Sequence, residues 1–293
     1  MSTETIQPPG RGDVFALADA QFRGLTLVAG FIDEHVRHRV EAGAAADAST
    51  APAVGLLLRV IGWLRTFAKL NHPADYQAAA AGTRAMFEIA LDLTFLHFDR
   101  KEYPVDKLLT WEQSARLHDA EAVARYIDKL KGTAADPGGL DVILEFPKRF
   151  GPAILAARAR YWPPKPGKTA KHPSRWTGRT LDTDAEEADK LADRGFLAFY
   201  ERRYRQVCWN VHGSGLAGVT GLDMELFPGL TAFAFDETAR FAIVAAEMAV
   251  RFVGKWDADV DGLFVDIRKR RKAVAGYVFV NHPARQGVQS DPK

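Results

Sequence analysis

The sequence contains a single cysteine among 293 residues, which excludes a disulfide framework and any zinc or iron–sulfur site built on several cysteines. No stretch of 18 residues lacks Asp, Glu, Lys and Arg, and the longest uncharged run, residues 206–222, contains four glycines. A membrane span has a longer uninterrupted apolar run. The first 14 residues lack the apolar core of a signal peptide. These absences predict a soluble, cytoplasmic protein with no membrane partner.

The residues that are present predict an all-α fold. Hydrophobic residues make up 47% of the chain and charged residues 26%, with a formal net charge of +2, as in ordinary globular proteins. Apolar residues recur at spacings of three and four, the helical period. Helices are expected at about residues 13–42, 52–70, 75–98, 104–131, 141–145, 152–161, 183–193, 196–212, 235–256 and 258–273. Only residues 276–280 have the composition of a strand.

These elements predict one helical-bundle domain of about eight to ten helices over residues 13–280. Residues 1–12 and 281–293 are expected to be flexible tails. A proline-rich segment, residues 146–181, is expected to form a surface loop within the domain, because proline interrupts helices. Thr183 and Glu186 have the spacing of a capping box, which predicts that an acidic helix follows this loop.

A polar stripe interrupts the otherwise apolar helix predicted at residues 75–98. Arg84, Glu88 and Asp92 follow one another at intervals of four residues, so they lie within about 80° of one another on the helix surface. Partly buried charges persist when they are paired or when they have a function. The stripe is therefore either a structural ion pair or the wall of a polar pocket inside the bundle.

A second candidate site lies on the helix predicted at residues 196–212. Arg205 and His212 share one face of that helix. A guanidinium can bind a phosphate, and an imidazole can move a proton at a neighbouring hydroxyl, which suits RNA cleavage. The spacing falls within the Arg-x4–6-His pattern of HEPN-domain ribonucleases. The alternative is that His212 interacts with the last turn of its helix before Gly213, where a cation is favoured.

Three short motifs lie between residues 55 and 250. They are Arg84-Ala-Met-Phe-Glu88, Trp176-Thr-Gly178, and Tyr200-x3-Tyr204-x6-Val211-His212-Gly213. Together they resemble an uncharacterised family of bacterial all-helical proteins of about this size. The resemblance implies a helical fold and points to Arg84, Glu88, Tyr204 and His212, without implying a reaction. Cys208 stands where that family often has a small hydroxyl residue. The relation of the family to HEPN domains is a distant analogy.

The segment 146–181 has nine Lys and Arg residues and no acidic residue. Such a segment is typical of a nucleic-acid-binding surface, in which tryptophans stack on bases. The candidate residues for this role are Lys165, Lys168, Lys171, Arg175 and Trp176. The alternative is a solvated loop whose charge is neutralised by the acidic helix that follows.

No metal or cofactor is predicted. Residues 257–262 resemble the start of a calcium loop, but Arg268 occupies the position of the closing glutamate. Acidic residues there are better explained as the start of a helix, where negative charge is favoured. Nucleotide-binding glycine loops and zinc-protease motifs are not found.

Two functional hypotheses remain, and the sequence leaves open whether the protein is an enzyme. The first is a non-catalytic protein-interaction module in which the polar stripe is structural. The alternative is an HEPN-like RNA-binding protein or metal-independent ribonuclease in bacterial defence or stress. Another protein or RNA is thus the expected partner, and a homodimer is one expected arrangement.

Overall fold

The computed structural model describes residues 11–70, 75–164, 172–211 and 226–280. Within these ranges the regular structure is helical throughout, so the predicted all-α fold class is confirmed. The helices are α1 Arg11–Phe31, α2 Arg37–Ala46, α3 Ala51–Phe67, α4 Tyr76–Phe98, α5 Val105–Leu130, α6 Leu140–Tyr161, α7 Leu181–Ala192, α8 Phe196–Phe199, α9 Arg205–Val211, α10 Leu226–Phe252 and α11 Ala258–Val280. Two π-helical turns, Ile32–Val36 and Tyr200–Tyr204, join α1 to α2 and α8 to α9.

Three local predictions are wrong. Residues 146–151 belong to α6 rather than to a loop, and they join the helices expected at residues 141–145 and 152–161 into one, although Pro147 and Pro152 lie inside it. Each proline removes one backbone donor but has a φ close to the helical value, and the exposed side of α6 can hydrate the freed carbonyls. Residues 276–280 extend α11 and do not form a strand. Helix α7 begins at Leu181, two residues before the predicted cap.

Contacts divide the chain into two compact units, one made of Met1–Phe98 and Ala188–Lys293 and the other of Asp99–Glu187. In the first unit, α4 packs along α10, and both helices are buried over most of their length. Helix α1 packs against α10 and α11, while α3 packs against α4 and α2. The helices α4 and α10 therefore form the centre of this unit.

The central helices approach closely because small residues face one another. The hydroxyls of Thr83 on α4 and Thr238 on α10 lie 2.9 Å apart, and both side chains are fully buried. A Cβ at Gly82 would lie only 2.4 Å from the ring of Phe67 on α3. No larger residue fits at Gly82 without displacing that ring, so glycine sets the spacing between α3 and α4.

In the second unit, α5 packs antiparallel against α6 as a helical hairpin. Residues 172–180 are irregular and include Trp176, whose ring is buried edge-on to Tyr103 with a centroid distance of 5.6 Å. The buried carboxylate of Asp184 accepts hydrogen bonds from Arg175 Nε at 2.6 Å and from Thr177 Oγ1 at 2.9 Å. These bonds fix residues 175–177 to the start of α7.

One helical stretch among the described residues, Phe15–Ala46, is long and apolar enough to cross a membrane by length and composition alone. The most apolar part of it is 39% buried within the structure. A core helix of a soluble protein meets the same criteria, and α1 packs against α10 and α11. The predicted absence of a membrane span therefore stays a prediction.

Candidate functional site

The polar stripe of α4 meets the π-helical turn that precedes α9. Glu88 Oε1 accepts a hydrogen bond from Arg84 Nε at 2.9 Å and another from the Tyr204 hydroxyl at 2.8 Å. The guanidinium carbon of Arg84 also lies 5.8 Å from the centroid of the Tyr204 ring. The structure thus brings three of the predicted site residues together. Asp92 lies one helical turn further along α4 and is half-buried.

Burial and charge set the protonation of this Arg84–Glu88–Tyr204 network. Burial opposes the charge on Arg84, but the hydrogen bond to Glu88 and nearby negative charge outweigh it, so the pKa of Arg84 is raised. Burial has the opposite effect on Tyr204 and raises its pKa, and the adjacent Glu88 carboxylate adds to that increase. The phenol therefore stays protonated at neutral pH and acts as a hydrogen-bond donor. A neutral phenol and a paired arginine fit a structural role better than an acid–base role.

The network suggests a direct test in which Tyr204→Phe removes one hydroxyl. We expect the free energy of unfolding to fall by about 1–2 kcal/mol, because a largely buried hydrogen bond to a carboxylate is lost. Urea unfolding followed by circular dichroism would measure the change. Tyr200→Phe is the matched control, since Tyr200 stacks on Tyr204 and is less buried. Equal losses in the two variants would show that the Glu88 contact contributes no stability.

Only one residue of the predicted acid–base pair, Arg205 and His212, lies within the described ranges. Arg205 is exposed at the start of α9, whereas His212 lies outside the described residues. The acid–base role of Arg205 and His212 therefore stays a prediction. Cys208 is half-buried on α9.

The candidate nucleic-acid interface requires a correction at two of its residues. Trp176 is buried, so its ring faces are not available to stack on a base. Arg175 forms an ion pair with the buried Asp184, so the charge of Arg175 is compensated within the second unit. Lys165, Lys168 and Lys171 lie outside the described residues. The acidic helix α7 thus neutralises at least one cation of the segment, as the alternative interpretation expects.

Two arrangements were missed by the sequence analysis, and one of them surrounds His172. Ser114 Oγ lies 3.1 Å from His172 Nδ1, and Trp111 Nε1 donates to the carbonyl of Pro173 at 2.8 Å. Burial lowers the pKa of His172, and His118 and Arg158 lower it further. Ser114, His118, Arg158 and His172 line a cleft of about 590 Å³, but Ser114 is only 1% exposed. The contacts anchor residues 172 and 173 to α5.

The second missed arrangement surrounds Glu247 on α10. This carboxylate is buried and pairs with three arginines, Arg194, Arg251 and Arg268. A glutamate inside the apolar run 241–250 is the only sequence signal for it. Among the described residues, no group of three or more His, Cys, Asp or Glu side chains is placed to hold a metal ion.

Comparisons with known proteins identify no relative. No protein-family model matches the chain, and no curated protein or solved structure matches it either. The resemblance to a bacterial helical family and the analogy to HEPN domains therefore stay predictions.

Proposed function

We propose that the protein is a non-catalytic protein-interaction module whose interaction surface is the α5–α6 hairpin. The observation that carries this proposal is the low burial of α6. Of its 22 residues, only Gly151 and Ile154 are buried. An amphipathic helix in a globular protein normally buries a wide apolar stripe. Helix α6 thus has apolar surface that the described residues of the second unit do not cover.

The uncovered surface of α6 is a continuous apolar stripe. It consists of Val142, Phe146, Phe150, Ala153 and Ala157, which lie within about 80° of one another. Val142 is 75% exposed and Phe150 is 43% exposed. On one edge of the stripe, Phe146 and Phe150 line a groove of about 450 Å³ together with Arg116 of α5. Contiguous exposed apolar surface of this kind is typical of an interaction site.

The occupant that fits this stripe is a second copy of the hairpin. The exposed face of α5 carries apolar Leu109, Val123 and Tyr126. Glu112, Arg116 and Asp119 lie on the same face, within about 100°, and leave it with a net negative charge. The α6 stripe instead carries the cations Arg149 and Arg160 at its edge.

These two faces are opposite in net charge, and both carry exposed apolar side chains. Packing α6 of one copy against α5 of another satisfies both faces at once, because a two-fold pair repeats the same contact in each direction. Two hairpins joined in this way form a four-helix bundle.

The test is the oligomeric state of the full chain, measured by sedimentation equilibrium. We expect the wild type to dimerise and Phe150→Glu to be monomeric at the same concentrations, because a carboxylate would be buried in an apolar contact. Leu58→Glu is the matched control, since Leu58 is an apolar residue of similar exposure on α3. Circular dichroism would confirm that both variants fold. A wild type that is monomeric at every concentration, or a dimer unaffected by Phe150→Glu, would overturn the proposal.

The RNA-acting alternative depends on His212 and on Lys165, Lys168 and Lys171. Those residues lie outside the described ranges, while Arg175 and Trp176 are engaged inside the second unit. The described residues therefore offer no observation that favours RNA over a protein partner.

A further inference from the structure

Three arginines from different parts of the first unit converge on one buried carboxylate. Arg194 Nη2 donates to both oxygens of Glu247, at 2.8 and 3.0 Å. Arg251 Nε donates to Oε1 at 3.1 Å, and Arg268 Nη2 donates to Oε2. We call Arg194, Arg251 and Arg268 the three-arginine cluster.

The cluster has more positive charge and more donors than Glu247 can satisfy. Three guanidinium groups face one carboxylate, and Asp261 is a further acidic group that acts on Arg268, so three positive charges meet two negative charges among these residues. At least one positive charge is therefore in excess. Each guanidinium has five N–H donors, and Glu247 accepts only four hydrogen bonds from all three.

The excess charge faces solvent. The three arginine side chains are each 30–32% exposed, whereas Glu247 is only 1% exposed. Burial lowers the pKa of Arg268, and the positive charges of Arg194 and Arg251 add to this effect while Glu247 opposes it. The site thus has a positive potential on its outer side.

The cluster is held in place before any ligand arrives. Arg251 stacks on Trp256, with its guanidinium carbon 3.7 Å from the ring centroid. Arg194 is fixed through its backbone, because its N–H donates to Asp189 at 3.1 Å and its carbonyl accepts from Arg240 at 2.7 Å. Arg240 is itself paired with Glu237, so it adds no net charge. Fixed guanidinium groups lose little entropy when they bind an oxyanion.

We propose that the three-arginine cluster binds the phosphate group of a small molecule on its solvent side. A tetrahedral oxyanion presents several acceptors at once, and arginine forks bind such groups through parallel, charge-assisted hydrogen bonds. Glu247 binds the three guanidinium groups on their buried side, and the phosphate binds them on the side that faces solvent. The site lies entirely within the first unit, and it does not depend on the α5–α6 hairpin.

The experiment is a titration of the full chain with inorganic phosphate, with sodium chloride added to hold ionic strength constant. Equilibrium dialysis measures binding, and comparison of the tryptophan emission of the wild type with that of Trp256→Phe isolates the signal of Trp256 beside Arg251. We expect saturable binding that weakens about tenfold in Arg251→Gln and in Arg268→Gln, since each removes one charge-assisted contact. A parallel titration with a nucleoside monophosphate distinguishes free phosphate from a phosphate carried by a larger molecule.

Arg270→Gln is the matched control, because Arg270 is an exposed arginine on the same helix that pairs only with Asp266 among the described residues. It should bind phosphate as the wild type does. Arg268→Lys retains the charge and tests the fork itself if the glutamine variants are unstable. Binding that is absent in the wild type, or equally weakened in Arg270→Gln, would overturn the proposal.

Discussion

Replacement of Glu247 by glutamine is expected to lower the free energy of unfolding by about 3–5 kcal/mol. The substitution preserves shape but removes the buried carboxylate charge that pairs with Arg194, Arg251 and Arg268. Three partly buried guanidinium groups would then repel one another around a neutral amide. Removing one partner of a buried ion pair costs more than the pair contributes, because the remaining charges lose their compensation. Guanidinium unfolding at neutral pH, followed by circular dichroism, would measure the loss.

The control for this prediction is Asp266→Asn on α11. Asp266 pairs with Arg270, and both side chains are more than half exposed. Exposed pairs of this kind contribute about 0–1 kcal/mol, so the control should change stability little. A loss in Glu247→Gln no larger than that of the control would show that solvent already screens the three arginines. In that case the cluster would add little to the stability of the packing between α10 and α11.

The helical fold is predictable because apolar residues recur at the helical period along most of the chain. The predicted helix ends are wrong where a proline or a short β-branched run is given more weight than the helical period. Pro147 and Pro152 predict a break, yet α6 continues through both. A proline costs one hydrogen bond, and the other bonds of a 22-residue helix compensate for it. Residues 276–280 contain β-branched and aromatic residues, but they follow α11 directly and extend it.

The polar stripe of α4 is also predictable, because a spacing of four residues places Arg84 and Glu88 side by side. The contact with Tyr204 is different, since it joins residues 116 positions apart. Periodicity contains no information about such a contact. Only the resemblance to a helical family singled out Tyr204 as a candidate residue.

The Glu247 cluster shows the same limit more clearly. A lone glutamate within an apolar run signals a buried charge that must be compensated. Arg251 follows four residues later and is the partner that helical spacing suggests. Arg194 and Arg268 reach the carboxylate only because the fold brings α11 and the residues before α8 to α10. Nothing in the sequence distinguishes them from the other arginines.

Phe87→Ala is expected to destabilise the first unit by about 3–5 kcal/mol, the cost of emptying a fully buried aromatic site. The Phe87 ring lies 4.9 Å from that of Phe199 and 5.1 Å from that of Phe241, measured between centroids. It therefore joins α4 to α8 and α10. Phe98→Ala, at the exposed end of α4, is the control and should cost far less. Urea unfolding of both variants would give the comparison.

Phe87 also supports the Arg84–Glu88–Tyr204 network, because its ring lies 5.4 Å from that of Tyr204. If packing against Phe87 orients the phenol toward Glu88, removing the ring and removing the hydroxyl cannot be independent. A double-mutant cycle of Phe87→Leu and Tyr204→Phe should then give a combined loss smaller than the sum of the single losses. Strict additivity would contradict this coupling. The Glu88 contact would then orient Tyr204 without help from the Phe87 ring.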